Sequence, residues 1–285
     1  MDFVYIVKED ENNEDLRYSL RSIAKYYPEN KVWIVGYKPS WVKNVEYLPV
    51  KQSKDKWKNS MTNILTACKC KDISDDFILM NDDFFMIKPL VPIEMIANIT
   101  LGLLSSTINK NKELKSPWYD AFQQVYDLLK DLNIPEPYYD FEAHLPLQIN
   151  KKKFIKVINL PKVQEFMKTS KVLHKRTLYK NFDKPEKIIK LPADVKIERR
   201  CDDANRRVNI CGWLSVYDRQ VGNAKFGLLN RELHFNLNQP CIYEKEITEE
   251  ERKNLKNVEI IPNDVKIPAT YQENFKKKKD NFIHF

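Results

Sequence analysis

The chain has 285 residues, 42% hydrophobic and 12% aromatic, which excludes a disordered polypeptide and allows one large domain with a substantial core. Its formal net charge of +8 suits phosphates, nucleic acids or acidic glycans as partners, although a general richness in lysine accounts for it equally well. No apolar run is long enough to span a bilayer, and the amino terminus has neither a secretory core nor a cleavage site, so a soluble cytoplasmic protein is expected.

The five cysteines show no CxxC spacing. Cys68 and Cys70 would face apart on a helix, so all five read as reduced thiols rather than metal ligands. The five glycines build neither a GxGxxG turn nor a Walker loop. A nucleotide would therefore be held without a glycine-rich phosphate cradle, which raises the weight of a metal-and-carboxylate solution.

Residues 2–7 are rich in β-formers and give a first strand. Leu16, Leu20, Ile23, Ala24 and Tyr27 recur at helical spacing and stop before Pro28. Residues 31–35 form a second strand and 45–48 a short third. A helix follows, capped by Ser53 or Asn59, with Met61, Ile64, Leu65 and Cys68 on its inner face. Then comes Phe77-Ile78-Leu79-Met80-Asn81-Asp82-Asp83-Phe84-Phe85, read as a central strand running into a carboxylate pair. The order β-α-β-β-α-β predicts a mostly parallel sheet with helices on both faces.

The second half reads as α-rich. Pro89 and Pro92 start a short helix, 101–108 is a possible strand, and Trp118, Phe122, Val125, Leu129 and Leu132 define an amphipathic helix. Residues 154–160 and 163–167 are short basic helices or turns, and 171–182 is a helix. Residues 188–191 and 195–197 are short strands, 212–218 is a strand-to-loop junction, and 224–235 is a helix. One catalytic domain over residues 1–240 is expected, with 241–285 a peripheral basic extension.

Open α/β sheets bind ligands beyond the carboxyl ends of their strands. Asp82 and Asp83 fall there and could hold a divalent metal that in turn holds phosphate. Successive strand residues face opposite ways, so both can be ligands only if the strand bends. A solvated turn is an equal alternative. His144, between Glu142 and Pro146, is a proton shuttle or a structural histidine. Arg176 is a phosphate contact or a surface cation. The pair Asp202-Asp203, flanked by arginines, reads as a self-neutralised loop.

These segments resemble the Stealth family, which includes capsular polysaccharide phosphotransferases and the lysosomal-enzyme N-acetylglucosamine-1-phosphotransferase, and which has phage and bacterial relatives. Residues 2–7 with Leu20-Arg21-Ser22-Ile23 are similar to its first block, and Lys56-Trp57-Lys58-Asn59-Ser60 through Asn81-Asp82-Asp83-Phe84-Phe85 to its second. Glu142-Ala143-His144-Leu145-Pro146, Arg176-Thr177-Leu178-Tyr179 and Trp213-Leu214-Ser215-Val216-Tyr217-Asp218 are similar to later elements. The chain departs from the family pattern after the first strand, where Lys8-Glu9-Asp10-Glu11 replaces Trp-Val-Asp-Gly, and on the second helix, which lacks the usual glutamate.

The resemblance implies a glycosyltransferase-A-like, Rossmann-like fold. It also implies metal-dependent transfer of a sugar or sugar-1-phosphate from a nucleotide-sugar donor to an acceptor hydroxyl, with Mg²⁺ or Mn²⁺ as cofactor. Asp82 and Asp83 would hold the metal, and Asp83, His144 and Arg176 would be catalytic. Arg21, Asn59 and Asn81 would contact the cofactor-bound donor. The acceptor would be a glycan or a hydroxylated base of phage DNA. The alternatives are a non-catalytic nucleic-acid-binding protein, and a metal-dependent nuclease or phosphatase drawing further carboxylates from Asp140, Glu142 or Asp218.

Overall fold

The computed structural model describes residues 1–96, 98–198, 204–216 and 221–245. Strand β1 (Asp2–Val7) is buried along nearly its whole length. Helix α1 (Glu14–Tyr26) starts where Asn13 Oδ1 accepts the Leu16 N–H at 2.9 Å, and it buries Leu16, Leu20 and Ile23. Strand β2 (Val32–Gly36) is fully buried and β3 (Glu46–Pro49) is an exposed edge. Helix α2 (Lys56–Lys69) is capped by Asp55, which accepts the Trp57 and Lys58 N–H groups. The predicted caps are displaced from that role. Asn59 lies inside the helix and staples the preceding loop by accepting from the Ser53 N–H at 2.8 Å.

The organising stretch is two strands, not one. β4 (Asp76–Met80) ends before Asn81, the chain turns at Asp82 and Asp83, and β5 (Phe84–Met86) enters a different sheet. Short elements follow: α3 (Ile93–Ile96), β6 (Ile99–Thr100), β7 (Gly102–Leu103), α4 (Leu104–Asn111), α5 (Pro117–Asp131) and β8 (Tyr139–Asp140). The possible strand at 101–108 is therefore mostly helix. Leu104 and Ile108 are one turn apart, so a helix puts both on the inner face, whereas Gly102 at φ +119 breaks an extended run.

An unpredicted strand, β9 (Leu147–Asn150), alternates buried and half-buried residues. Helices α6 (Lys151–Ile158), α7 (Pro161–Thr169) and α8 (Lys175–Phe182) follow. Next come β10 (Ile189–Lys190), β11 (Lys196–Ile197), α9 (Ala204–Cys211), β12 (Trp213–Val216) and α10 (Gly227–Leu237).

The main sheet has the order β3-β2-β1-β4-β9. Its first four strands are parallel, and β9 joins β4 antiparallel. Alternation along the strands builds a core on each face. Val4, Trp33 and Leu79 join Ile64, Val125, Leu129 and Phe154 on one side. Phe3, Tyr5, Ile34, Ile78 and Met80 join Leu16, Leu20, Ile23 and Trp213 on the other. Two-faced burial explains why these strands read as near-continuous apolar runs.

A second sheet of order β11-β12-β5 carries the chain from β4 toward the carboxyl-terminal half. It is fastened by Gly212, whose carbonyl accepts the Ile87 and Lys88 N–H groups. Gly212 has φ +86, and a Cβ there would come within 2.0 Å of the Lys88 carbonyl oxygen, so only glycine fits.

Just past residue 240 the chain packs back against the amino-terminal half. Tyr243 and Glu244 are each 3% exposed. Glu244 forms a β-bridge with Val42, and the Lys43 N–H donates to the Tyr243 carbonyl at 2.9 Å. Tyr243 and Glu244 are thus packed into the core; residues 246–285 of the predicted extension lie outside the described residues. Cys68, Cys70, Cys211 and Cys241 are free thiols, and no helix among the described residues is long and apolar enough to cross a membrane.

Candidate active site

Between β1 and β4 the chain connections leave in opposite directions. One goes through α1 to β2; the other arrives through α2 from the far edge. That is a topological switch point, where the crevice beyond the strand ends receives ligand. Asn13 and Asp82 meet there. While Asn13 Oδ1 caps α1, Asn13 Nδ2 donates to Asp82 Oδ2 at 2.8 Å. Asp82 thereby sits at the amino end of a thirteen-residue helix, where the helix dipole favours negative charge.

Asp83 is anchored from the other side. Its Oδ2 accepts the Ser215 hydroxyl at 2.9 Å. Ser215 is completely buried on β12 opposite Phe84 of β5. Because the strand has already ended, strict alternation does not apply to the two carboxylates.

The pairing of β11 with β12 places Lys196 opposite Ser215. Lys196 is only 8% exposed. Burial lowers its pKa, while the charges of Asp83, Asp194 and Glu198 draw it back up. Its Nζ donates to His144 Nε2 at 2.9 Å. The opposite ring nitrogen, Nδ1, donates to Asp194 Oδ2 at 2.6 Å, and the His144 backbone N–H donates to Asp194 Oδ1 at 3.1 Å. Burial pushes the Asp194 carboxyl up, but these bonds and the Val195 N–H more than offset it, so it lies below the usual carboxylate range. An imidazole that donates from Nδ1 to a carboxylate presents Nε2 as an acceptor, and here the lysine ammonium fills it.

Arg176 lies on α8 with its guanidinium 5.3 Å above the Phe84 ring. Nη1 donates to the carbonyls of Ala143 and Leu145, which ties α8 to the histidine segment. Nη2 is buried and has no hydrogen-bond partner among the described residues. Burial lowers this arginine's pKa, and Glu142, Asp83 and Asp194 oppose the shift. Glu142 accepts the Thr177 N–H at 3.0 Å in the first turn of α8. His174 stacks on Phe122 at 3.9 Å and meets Trp118 edge-on, as a packed structural histidine.

Asp140 is 1% exposed and accepts from the Thr107 hydroxyl and the Glu142 N–H. Burial pushes its carboxyl up to about 6 despite those bonds. The folded pKa exceeds that of the unfolded chain, about 3.9, so the contribution is full below that value and is lost as pH rises through the folded pKa. Asp140→Asn keeps the shape and removes the charge. It should gain stability over the parent by roughly 1–3 kcal/mol at neutral pH, with the difference growing from about pH 4 and levelling above about pH 7. Urea unfolding of both proteins across that range measures it; a difference that does not change with pH would contradict it.

The structure brings Asp83, His144 and Arg176 within one connected set of hydrogen bonds and charge contacts through Lys196 and Ser215, with Asp82 beside Asp83 at the turn. Arg21 stands apart from them: Nε and Nη2 bond Glu244 and Nη1 bonds the Leu237 carbonyl, which joins α1 to α10. Asn59 serves the loop described above. Asn81 lies half-buried at the end of β4, beside the carboxylates. Sequence reasoning missed Asn13, Asp194 and Lys196. The last two alternate about an apolar residue, as on one face of a strand, but nothing local links them to His144. Asp202, Asp203 and Asp218 lie outside the described residues.

Among the described residues no three or more His, Cys, Asp or Glu side chains gather to form a closed metal cage. The donor set at the turn is two anchored carboxylates. That fits a hard cation such as Mg²⁺ or Mn²⁺, which takes one or two protein carboxylates and completes its shell with substrate phosphates and water.

No family model matches the chain, and no curated protein matches it. Solved structures do, and they define a fold class. The mainly parallel sheet, flanked by helices and ending in a carboxylate turn at the switch point, is the glycosyltransferase-A-like α/β fold. One similar structure is the galactosyltransferase LgtC in complex with donor and acceptor sugar analogues. It has a TM-score of 0.51 and 13% identity over 89% of this chain and 99% of that one. Another is the apo form of the bifunctional glycosyltransferase WbbM, with a TM-score of 0.53 and 13% identity over 84% of this chain. This chain corresponds to 50% of WbbM.

Proposed function

We propose that this chain is an enzyme that transfers a sugar, or a sugar-1-phosphate, from a nucleotide-sugar donor to the hydroxyl of an acceptor glycan. The observation that carries the reading is the Asp82–Asp83 turn at the switch point, with Lys196 and Arg176 from the second half of the chain within electrostatic reach of Asp83. Such an array suits a diphosphate: carboxylates to hold a cation, and cations to face the phosphate oxygens. The similarity to glycosyltransferase folds supports the same reading.

Asp82 and Asp83 would hold Mg²⁺ or Mn²⁺, which when bound supplies positive charge against the donor phosphates. In sugar transfer the bond broken joins the anomeric carbon to the diphosphate. In sugar-phosphate transfer it is the phosphorus–oxygen bond inside the diphosphate. Either way negative charge grows on the departing nucleotide, and Arg176 would offset it. Its buried Nη2 is a donor already desolvated, so it needs no reorganisation when that charge appears. The acceptor oxygen forms the new bond, to the anomeric carbon or to phosphorus, and its proton leaves with the departing phosphate. The Stealth-like blocks support sugar-phosphate transfer within this class, and the acceptor sugar analogue bound by LgtC supports a glycan over a DNA base.

Thermal unfolding with a panel of nucleotide sugars, each with and without Mn²⁺, tests the proposal. One donor should stabilise the protein only when metal is present. A ligand at a hundred times its Kd adds about 2.7 kcal/mol. No stabilisation by any donor, together with clear stabilisation by oligonucleotides, would replace this reading with nucleic-acid binding.

A further inference from the structure

Building on the diphosphate-site reading above, we infer that Lys196 is the donor-phosphate anchor of this site and that His144, backed by Asp194, is the positioning residue that holds it there. Three observations carry this. The His144 ring is oriented by two bonds to Asp194, at Nδ1 and at its own backbone N–H, so its Nε2 is committed as an acceptor. That acceptor is filled by Lys196 Nζ at 2.9 Å, which leaves no open nitrogen to serve as a base in this arrangement. Lys196 itself is 8% exposed and lies within electrostatic reach of Asp83.

The buried Nη2 of Arg176, close to the same carboxylates and without a partner among the described residues, points independently to an anionic ligand. A divalent ion held by Asp82 and Asp83 would offset their charge; Lys196 and Arg176 would then face phosphate oxygens, with Lys196 held in place by His144.

The probes are Mn²⁺ alone and Mn²⁺ with inorganic pyrophosphate, measured by titration calorimetry on the full chain. Lys196→Met should bind Mn²⁺ alone at least as well as the parent, because a competing cation beside Asp83 is gone. Its Mn²⁺-dependent affinity for pyrophosphate should fall at least tenfold, and Lys196→Arg should recover part of the loss. His144→Leu should weaken pyrophosphate several-fold, whereas His144→Gln, whose amide oxygen can accept from Lys196, should stay near the parent. A His144 that acted as a base would leave pyrophosphate affinity unchanged in both variants, and that result overturns the inference. Equal loss of Mn²⁺ and pyrophosphate binding in Lys196→Met also overturns it, by making the lysine a purely structural group.

The outcome separates from that of the transferase reading. Lys196-dependent pyrophosphate binding in a protein that no nucleotide sugar stabilises would sink the transferase and keep the anchor. A donor-specific shift with unaltered Lys196→Met binding would do the reverse.

Discussion

Asp83→Ala is expected to lower transfer from the donor by about three orders of magnitude while leaving the protein folded, on the scale that loss of one electrostatic stabiliser has in other sites. The size follows from where Asp83 sits. It is the carboxylate that Ser215 holds across the junction between the two sheets, and both Lys196 and Arg176 feel its charge. Removing it deletes half of the proposed cation-binding pair and leaves Lys196 and Arg176 with one counter-charge fewer. Because the buried Ser215 hydroxyl loses its acceptor and two buried cations lose a counter-charge, the substitution should also cost roughly 1–3 kcal/mol of unfolding stability. Turnover and urea unfolding measured on the same preparation check both halves. A variant retaining a tenth of parental turnover would remove Asp83 from the chemistry. Ser215→Ala, which frees the carboxylate without deleting it, should show a smaller loss of rate.

Glu244→Ala is expected to cost about 3–5 kcal/mol of stability, the range for removing one partner of a buried ion pair. Glu244 accepts from Arg21 at 2.7 and 2.8 Å and from Arg17 at 2.9 Å, and its side chain is entirely buried. Truncating it leaves the buried Arg21 guanidinium with only the Leu237 carbonyl, while Arg17 keeps Glu14. Burial pushes the Glu244 carboxyl up, and the arginines more than reverse this, so its pKa lies below the ordinary value. A depressed carboxylate contributes stability above its unfolded pKa and loses it as pH falls through the folded one. The parent should therefore lose stability in acid faster than Glu244→Ala does. Replacing Arg17, Arg21 and Glu244 together with apolar residues of similar volume should recover much of the loss. Equilibrium unfolding at neutral pH and at about pH 3 measures both effects, bracketing the carboxylate range. The same geometry makes Arg21 a structural residue. Arg21→Ala should weaken unfolding stability and leave donor affinity unchanged, contrary to the role that the family resemblance implies for it.

Local pattern alone was enough to read the first half of the sheet and the turn that follows β4. β1, α1, β2, α2 and β4 each bury a face set by local periodicity, and a run such as Phe77 to Met80 can satisfy its side chains only inside a sheet covered on both faces. The carboxylate turn was legible for the same reason, since charge directly after an apolar strand marks the strand's end. The histidine and arginine segments were visible as residue types, but not what they touch. Asp82 is held by a residue 69 positions away and Asp83 by one 132 away. His144 meets Lys196 52 positions on, and Arg21 meets Glu244 after 223. Contacts of that span leave no periodic trace, because two-residue strands such as β11 have no repeat of their own and are placed by their neighbours. It took the folded arrangement to show which cations lie near Asp83, that His144 is turned toward a lysine, and that Tyr243 and Glu244 belong to the core. Each of these depends on how separate elements pack, and a buried charge is tolerated only where packing supplies its partner.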